Sequence, residues 1–256
     1  MIKFTLCIPT MNRFDNFLKR NLPYFIEEPR IDQIVICDEN GADVQKITKE
    51  FHSEKLLLVT NTKRLGCLLN KMKCMSLSRN EWICLMDSDN FPDSNYFTNA
   101  NKYIEKHQLD KPYSNKNIIL SPCFAIPKFC FHALIDRVIT KNNINEHLDY
   151  EKAQCIPSIE GIETLMNHGN YIINKCIPDN LDLSQEAEII PNTNACDVIF
   201  FNTLAFEQLN LHFHIVAGLE YYHTQHDGSI YWEEGGKTSD TRLEIYKRFN
   251  RLSNKK

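Results

Sequence analysis

Short β-rich runs alternate with segments of helical period through about Leu120, and four of those runs end in polar clusters. These two observations predict an α/β fold: a mostly parallel sheet flanked by helices, with an irregular carboxy-terminal portion after it. At 256 residues and 43% hydrophobic content, the chain is long enough to bury one substantial core. A single domain over 1–256 therefore suffices, divided into a first half over 1–120 and a second over 121–256.

Strands are expected at residues 3–8, 33–37, 56–59, 82–86 and 117–120, where β-branched and apolar residues cluster. Between them, residues 15–25, 42–51, 65–77 and 96–106 repeat apolar side chains at helical spacing. The first four strands run into Pro9-Thr10, Asp38-Glu39-Asn40-Gly41, Asn61-Thr62 and Asp87-Ser88-Asp89. In a parallel sheet these clusters share one rim, where side chains and helix N-termini converge on ligands. From 121 to 191 the pattern weakens, with prolines at 122, 127, 157, 178 and 191 and helical stretches expected near 129–140 and 159–166. The apolar run at 196–201 reads as a strand, followed by a short helix at 205–209. The chain then carries a His- and Tyr-rich segment at 218–229, a turn at Gly235-Gly236 and a basic amphipathic helix over 239–252.

A formal net charge of -4, with no basic stripe bearing interleaved aromatics, excludes a nucleic-acid surface. The opening run Ile2-Lys3-Phe4-Thr5-Leu6-Cys7-Ile8-Pro9 is too short for a signal core or a membrane span, and no later run is long enough, so no transmembrane segment is expected. Ten scattered cysteines without paired spacing suit a reducing compartment, which makes the cytoplasm the expected location.

The chemistry centres on Asp87-Ser88-Asp89-Asn90, directly after the apolar run Trp82-Ile83-Cys84-Leu85-Met86. Side chains two apart on an extended segment point the same way, so Asp87 and Asp89 can converge on one hard divalent cation. Turns and helix caps also use paired acids, and Asp93 is placed to start the next helix.

Taken in order, Thr5-Leu6-Cys7-Ile8-Pro9-Thr10-Met11-Asn12-Arg13, then Ile34-Val35-Ile36-Cys37-Asp38, then Asn61 through Gly66 to Asn70, then Trp82 to Asn90, resemble the nucleotide-sugar glycosyltransferases of the family 2 type, which have the GT-A fold. The resemblance covers the first half well and the second loosely. It implies a GT-A-like sheet whose first half binds the nucleotide-sugar and whose second half takes the acceptor. It implies nucleotide contacts from Pro9, Thr10 and Arg13, from Asp38, and from Arg64 and Asn70. Asp87 and Asp89, with Ser88 between them, inherit the Mn or Mg ion that bridges the donor diphosphate, the donor being expected as a UDP-sugar. Asp38 has a second reading as the start of the Asp-Glu-Asn-Gly turn.

The segment from Glu220 to Ser229 concentrates a carboxylate, two imidazoles and hydroxyls. Many GT-A enzymes complete the metal shell with a histidine from this part of the chain, a role open to His223 or His226. The acidic dipeptide that often supplies the base of an inverting reaction is missing, which leaves Glu220 or Asp197 as substitutes. Tyr221, Tyr222, Tyr231 and Trp232 offer either a sugar-stacking platform or core packing.

Rival readings lack their signatures. A Rossmann dehydrogenase needs a glycine-rich turn where Pro9-Thr10-Met11-Asn12-Arg13 stands, a P-loop is absent, and zinc pairing of His223, His226 and Cys176 has no second compact ligand pair. His226-Asp227 invites comparison with His-Asp phosphohydrolases, but those are helical. The alternatives that remain are a GT-A-fold sugar- or nucleotide-binding protein without catalysis, and a nucleotidyltransferase. Nothing in the chain selects among glycan, protein and lipid acceptors, or between monomer and oligomer.

Overall fold

Alternation along the strands decides the layers. In β1 (Phe4–Thr10), Phe4, Leu6 and Ile8 enter one core and Cys7 the other. After α1 (Lys19–Glu27), β2 (Ile31–Asp38) repeats the division, Ile34 and Ile36 opposing Val35 and Cys37. Strands apolar on both faces must be covered on both faces. The computed structural model describes residues 1–126, 129–144, 165–229 and 236–253, and in it helices cover both sides. From α1, α2 (Ala42–Glu50) and α4 (Tyr96–Lys106), Leu22, Phe25, Ile47, Phe97 and Ile104 fill one core. Between α2 and α4 come β3 (Leu56–Thr60), α3 (Cys67–Ser76), β4 (Trp82–Leu85) and the short β5 (Phe91–Pro92).

The second half continues the same sheet. Its elements are β6 (Ile118–Ile126), β7 (Phe129–Cys130), β8 (Val138–Ile139), β9 (Ile172–Asn174), α5 (Cys176–Asn180), α6 (Asp197–Gln208), β10 (His212–Tyr222) and α7 (Ser239–Ser253). Strand order is β3-β2-β1-β4-β9-β6-β10-β5, with β7 on β6 and β8 on β10. The first four strands are parallel, as expected, whereas β9 runs antiparallel between β4 and β6 and makes the sheet mixed. Leu68, Cys74 and Met75 of α3 join Ile199, Phe200 and Leu204 of α6 and Phe249 of α7 in the second core. Arg248 ties α7 down: its guanidinium donates to Glu207 at 2.7 and 2.8 Å and to Glu186 at 2.8 and 3.0 Å.

Strands and helices of the first half fall within a few residues of expectation. One departure is the expected helix at 15–25, which begins as a π turn over Phe14–Leu18 before α1. Three expectations for the second half are corrected. The strand at 196–201 and the helix at 205–209 are one helix, α6, buried at every position from Asp197 to Phe206. A helix enclosed on all sides loses its periodic stripe and reads like a buried strand. The helix at 129–140 is instead β7, a single 3-10 turn over His132–Leu134 and β8. Finally, β10 reaches well into the segment read as a His- and Tyr-rich cluster, because Ala217-Gly218 interrupts its β pattern. The helical stretch expected near 159–166 falls mostly outside the described residues, as do Tyr231, Trp232 and Gly235. No helix among the described residues is long and apolar enough to cross a membrane.

Burial of β10 has a measurable cost. His214 is 6% exposed, and its Nδ1 lies 3.0 Å from the Tyr103 hydroxyl. Burial, with lesser contributions from His212 and His107, lowers its pKa to about 4. A group held neutral in the fold but free to charge in the unfolded chain stabilises above its unfolded pKa, and that contribution is lost as pH falls. Urea unfolding should show stability dropping by roughly 2 kcal/mol between about pH 7 and about pH 5 on account of this residue, and the drop should shrink by that amount in His214→Gln.

Candidate active site

Four polar clusters do meet at the carboxyl rim, and each is fixed by hydrogen bonds that the fold supplies. After β1 the chain turns through Asn12, at φ 58°, into the π turn. Asp43, in the first turn of α2, holds this loop: it accepts from the Thr10 hydroxyl at 2.5 Å and from the backbone N–H groups of Arg13 and Phe14 at 2.9 Å. Asp38 is fully buried, and its Oδ2 accepts the N–H groups of Asp43 and Val44 at 2.8 and 3.0 Å. Its carboxylate is thus spent on the N-terminus of α2, and its neighbour Glu39 faces the ligand space instead. Glu39 Oε2 accepts from Leu65 N–H and Asn61 Nδ2, and Oε1 from Gly66 N–H, which shapes the β3–α3 connection. Gly66 has φ +84°, and a Cβ there would stand 3.0 Å from Asn194 Oδ1, which accepts the N–H of Cys67. Asn70 bridges Asn61 and the Cys37 carbonyl at 2.9 and 3.0 Å.

Asp87 is held by backbone and charge together. Its N–H donates to Asn170 Oδ1 at 2.8 Å, and its Oδ1 lies 3.1 Å from Lys71 Nζ. The same ammonium lies 2.8 Å from Asp197 Oδ2 at the start of α6. Burial alone would favour a neutral amine, but Asp197 and Asp87 together hold Lys71 charged, well above the usual lysine range. Burial raises the Asp197 carboxyl above its usual range, against the pull of Lys71. Asp89 Oδ2 lies 2.9 Å from His226 Nε2, whose ring packs on Phe17 with centroids 5.0 Å apart. Asn90 accepts the Thr224 N–H at 3.0 Å, and Arg13 donates to the Gly228 carbonyl, so the segment after β10 is tied over this end of the rim. His168 Nδ1 lies 2.6 Å from the Tyr221 hydroxyl, and burial followed by the charge of His223 lowers its pKa to about 3.

These groups surround a cavity of about 590 Å³, in the range of small-molecule sites. Of the residues expected at the site, Pro9, Thr10, Arg13, Arg64 and Asn70 line it, as do Asp87, Ser88, Asp89, Asp197 and His223. Asp38 does not, for the reason given. Glu220 does not either: successive residues of β10 face opposite ways, and Tyr221 is the one turned to the cavity. Asp197 is thereby the one of the two candidate bases that reaches the site. Tyr222 lies outside the cavity lining and is half exposed. His226 touches Asp89 without lining the cavity, whereas His223 lines it and packs against Phe129 with centroids 5.2 Å apart. The donor set at the rim, two carboxylates and an imidazole, suits a hard divalent cation. Asp89 and His226 are already in contact, and Asp87 is shared with Lys71.

Sequence reading missed Glu39, Asp43, Lys71, His168 and Asn170. Lys71 left a trace: with Leu68, Cys74 and Met75 it falls on the buried face of α3, where an unpaired lysine is not expected.

Residues 5–115 match the family model described as glycosyl transferase family 2. Over that stretch, a little under half of the chain, the protein is similar to family 2 glycosyltransferases, as its motifs resembled, and the fold is GT-A. No curated protein sequence matches the chain. Among solved structures, S. aureus TarS 1–349 in complex with UDP-GlcNAc is 11% identical with a TM-score of 0.60, covering 99% of this chain and 72% of that one. The same fragment with UDP gives 12%, 0.58, 99% and 71%. Against the longer S. aureus TarS structure, at 12% identity and TM-score 0.59, 98% of this chain is covered but it spans only 43% of the other. At such identities the likeness is one of fold.

Removing the shared cation should expose how the two acids depend on it. Lys71→Met should cost about 3 kcal/mol near neutral pH, with a smaller deficit in acid as Asp197 takes up a proton. Urea unfolding of Lys71→Met, Asp197→Asn and the double variant should show the double variant recovering part of the loss, the mark of direct coupling.

Proposed function

We propose that this protein transfers a sugar, a hexose in our reading, from a UDP-sugar to an acceptor hydroxyl with inversion. The observation that carries the proposal is the meeting, across one cavity at the carboxyl rim, of the Asp87-Ser88-Asp89 turn and the Asp197 carboxylate, joined through Lys71. Support for the donor class comes from the family 2 match and from the fold shared with TarS, whose structures hold UDP and UDP-GlcNAc. The nucleotide would lie along Pro9, Thr10, Glu39 and Arg64.

Asp87, Asp89 and His226 would hold a Mn or Mg ion, which offsets the charge of the departing diphosphate. In a direct displacement the acceptor oxygen bonds to the anomeric carbon as the bond from that carbon to the diphosphate oxygen breaks. The acceptor proton passes to a carboxylate within reach. In this reading Asp197 would receive it: burial raises its proton affinity, and Lys71 Nζ, 2.8 Å from its Oδ2, pulls the other way. Neutral His168 fixes the Tyr221 hydroxyl on the cavity wall. The acceptor is a hydroxyl of a glycan, protein or lipid. Free cysteines throughout the described residues support a reducing, cytoplasmic setting.

A screen of UDP-sugars with Mn or Mg, following donor hydrolysis, tests this without knowledge of the acceptor. Turnover should require the cation, disappear in Asp89→Ala and fall by about 100-fold to 10,000-fold in kcat in Asp197→Asn with little change in KM. Metal-independent binding of UDP-sugar by calorimetry, without any turnover, would favour the non-catalytic binding protein.

A further inference from the structure

A second donor cluster lies outside the cavity. Ligand atoms of Cys123 on β6, His132 in the 3-10 turn and Glu220 on β10 all lie within 4.8 Å of one another. These residues come from three separate places in the chain, and local geometry brings them together. The short β7 folds back antiparallel on β6, with Cys130 opposite Phe124. The Phe131 N–H donates to the Cys123 carbonyl at 2.9 Å, and the His132 ring stacks on Phe124 with centroids 5.2 Å apart. On the other side, the β10–β6 register breaks between Val216 and Glu220. Pro122 pairs with Val216 but Phe124 pairs with Glu220, so three residues of β10 stand against Cys123 alone.

That bulge is built, not incidental. Gly218 sits within it at φ +73°, its carbonyl accepts Asn99 Nδ2 at 2.8 Å, and a Cβ at this position would stand 2.5 Å from that nitrogen. Bulges re-aim side chains next to sites, and here the bulge delivers Glu220 to the sulfur. Among the described residues no cation pairs with the Glu220 carboxylate. Cys123 is 1% exposed, Glu220 is half-buried and His132 is exposed, so the cluster is anchored on one side and open to solvent on the other.

We propose that Cys123, His132 and Glu220 form a zinc site that pins β10 to β6 and the β7 turn. One sulfur, one imidazole nitrogen and one carboxylate oxygen suit zinc, whose tetrahedral shell takes all three donor types, and the sulfur disfavours Mg and Mn. The fourth position faces solvent and would be filled by water. The site differs from the cavity in place and in metal preference, since none of its three residues lines the cavity. It bears on the rim through the chain: β10 carries Tyr221 and leads directly to Thr224, which bonds Asn90, and to His226, which meets Asp89.

The test uses the full chain, stripped of metal and titrated with zinc against a chromophoric chelator. Wild type should bind one equivalent, and so should Asp89→Asn, while His132→Ala/Glu220→Gln should bind at least about tenfold more weakly. Both substituted side chains are at least partly exposed, so this double variant should keep the wild-type circular dichroism, and it carries the test even if Cys123→Ser does not fold. Cobalt in place of zinc should give a thiolate-to-metal charge-transfer band that Cys176→Ser retains. Zinc affinity equal in wild type and the double variant, or a cobalt complex without the thiolate band, would overturn the proposal. Either result leaves the UDP-sugar reading standing, because donor hydrolysis is assayed separately.

Discussion

Lys71 carries a buried ammonium on which the placing of the two rim acids Asp87 and Asp197 depends. It lies between Asp87, at the end of a central strand, and Asp197, at the start of a helix more than a hundred residues later, so one buried charge joins both halves of the chain. Two carboxylates facing a common cavity would repel, and burial would press at least one to take a proton. The ammonium between them offsets that repulsion and keeps them in place. Asn170 adds a second constraint by accepting the Asp87 N–H, so the position of the acid is set by the backbone as well as by charge.

Around this pair, structural and ligand-facing roles are divided between adjacent acids. Asp38 and Asp43 are consumed internally: one caps α2, and the other gathers Thr10, Arg13 and Phe14 into a fixed loop. Glu39 both shapes the next connection and lines the cavity. The loops that face the ligand are therefore held by hydrogen bonds made before any ligand arrives. Such preorganisation is what the proposed stabilisation of a leaving diphosphate would require. The histidines divide similarly, with His168 kept neutral by burial and His226 placed on Asp89.

β10 connects the site to the rest of the fold. It lies between β6 and the short edge strand β5, its end feeds the segment that crosses the rim, and a bulge midway along it changes which residues face which neighbour. Tyr221 consequently turns to the cavity, and Glu220 turns to Cys123 and His132. A carboxylate that looked suited to catalysis in the linear sequence thus belongs to a different cluster, and the acid at the head of α6 stands in the cavity.

The sequence by itself determined the first half: the order of strands and helices, the polar clusters at the strand ends, and the Asp-Ser-Asp turn at the rim. Those features are local, since strand alternation, helical spacing and turn residues report on a few neighbours at a time. Tertiary structure decided the rest. Whether 196–201 was strand or helix depended on its being enclosed on every side, which erases the periodic signal. Which of Asp38, Asp197 and Glu220 reached the cavity depended on hydrogen bonds and strand register between distant segments. The role of Lys71 required two acids, sixteen and 126 positions away, to meet at one nitrogen, a juxtaposition that only folding creates.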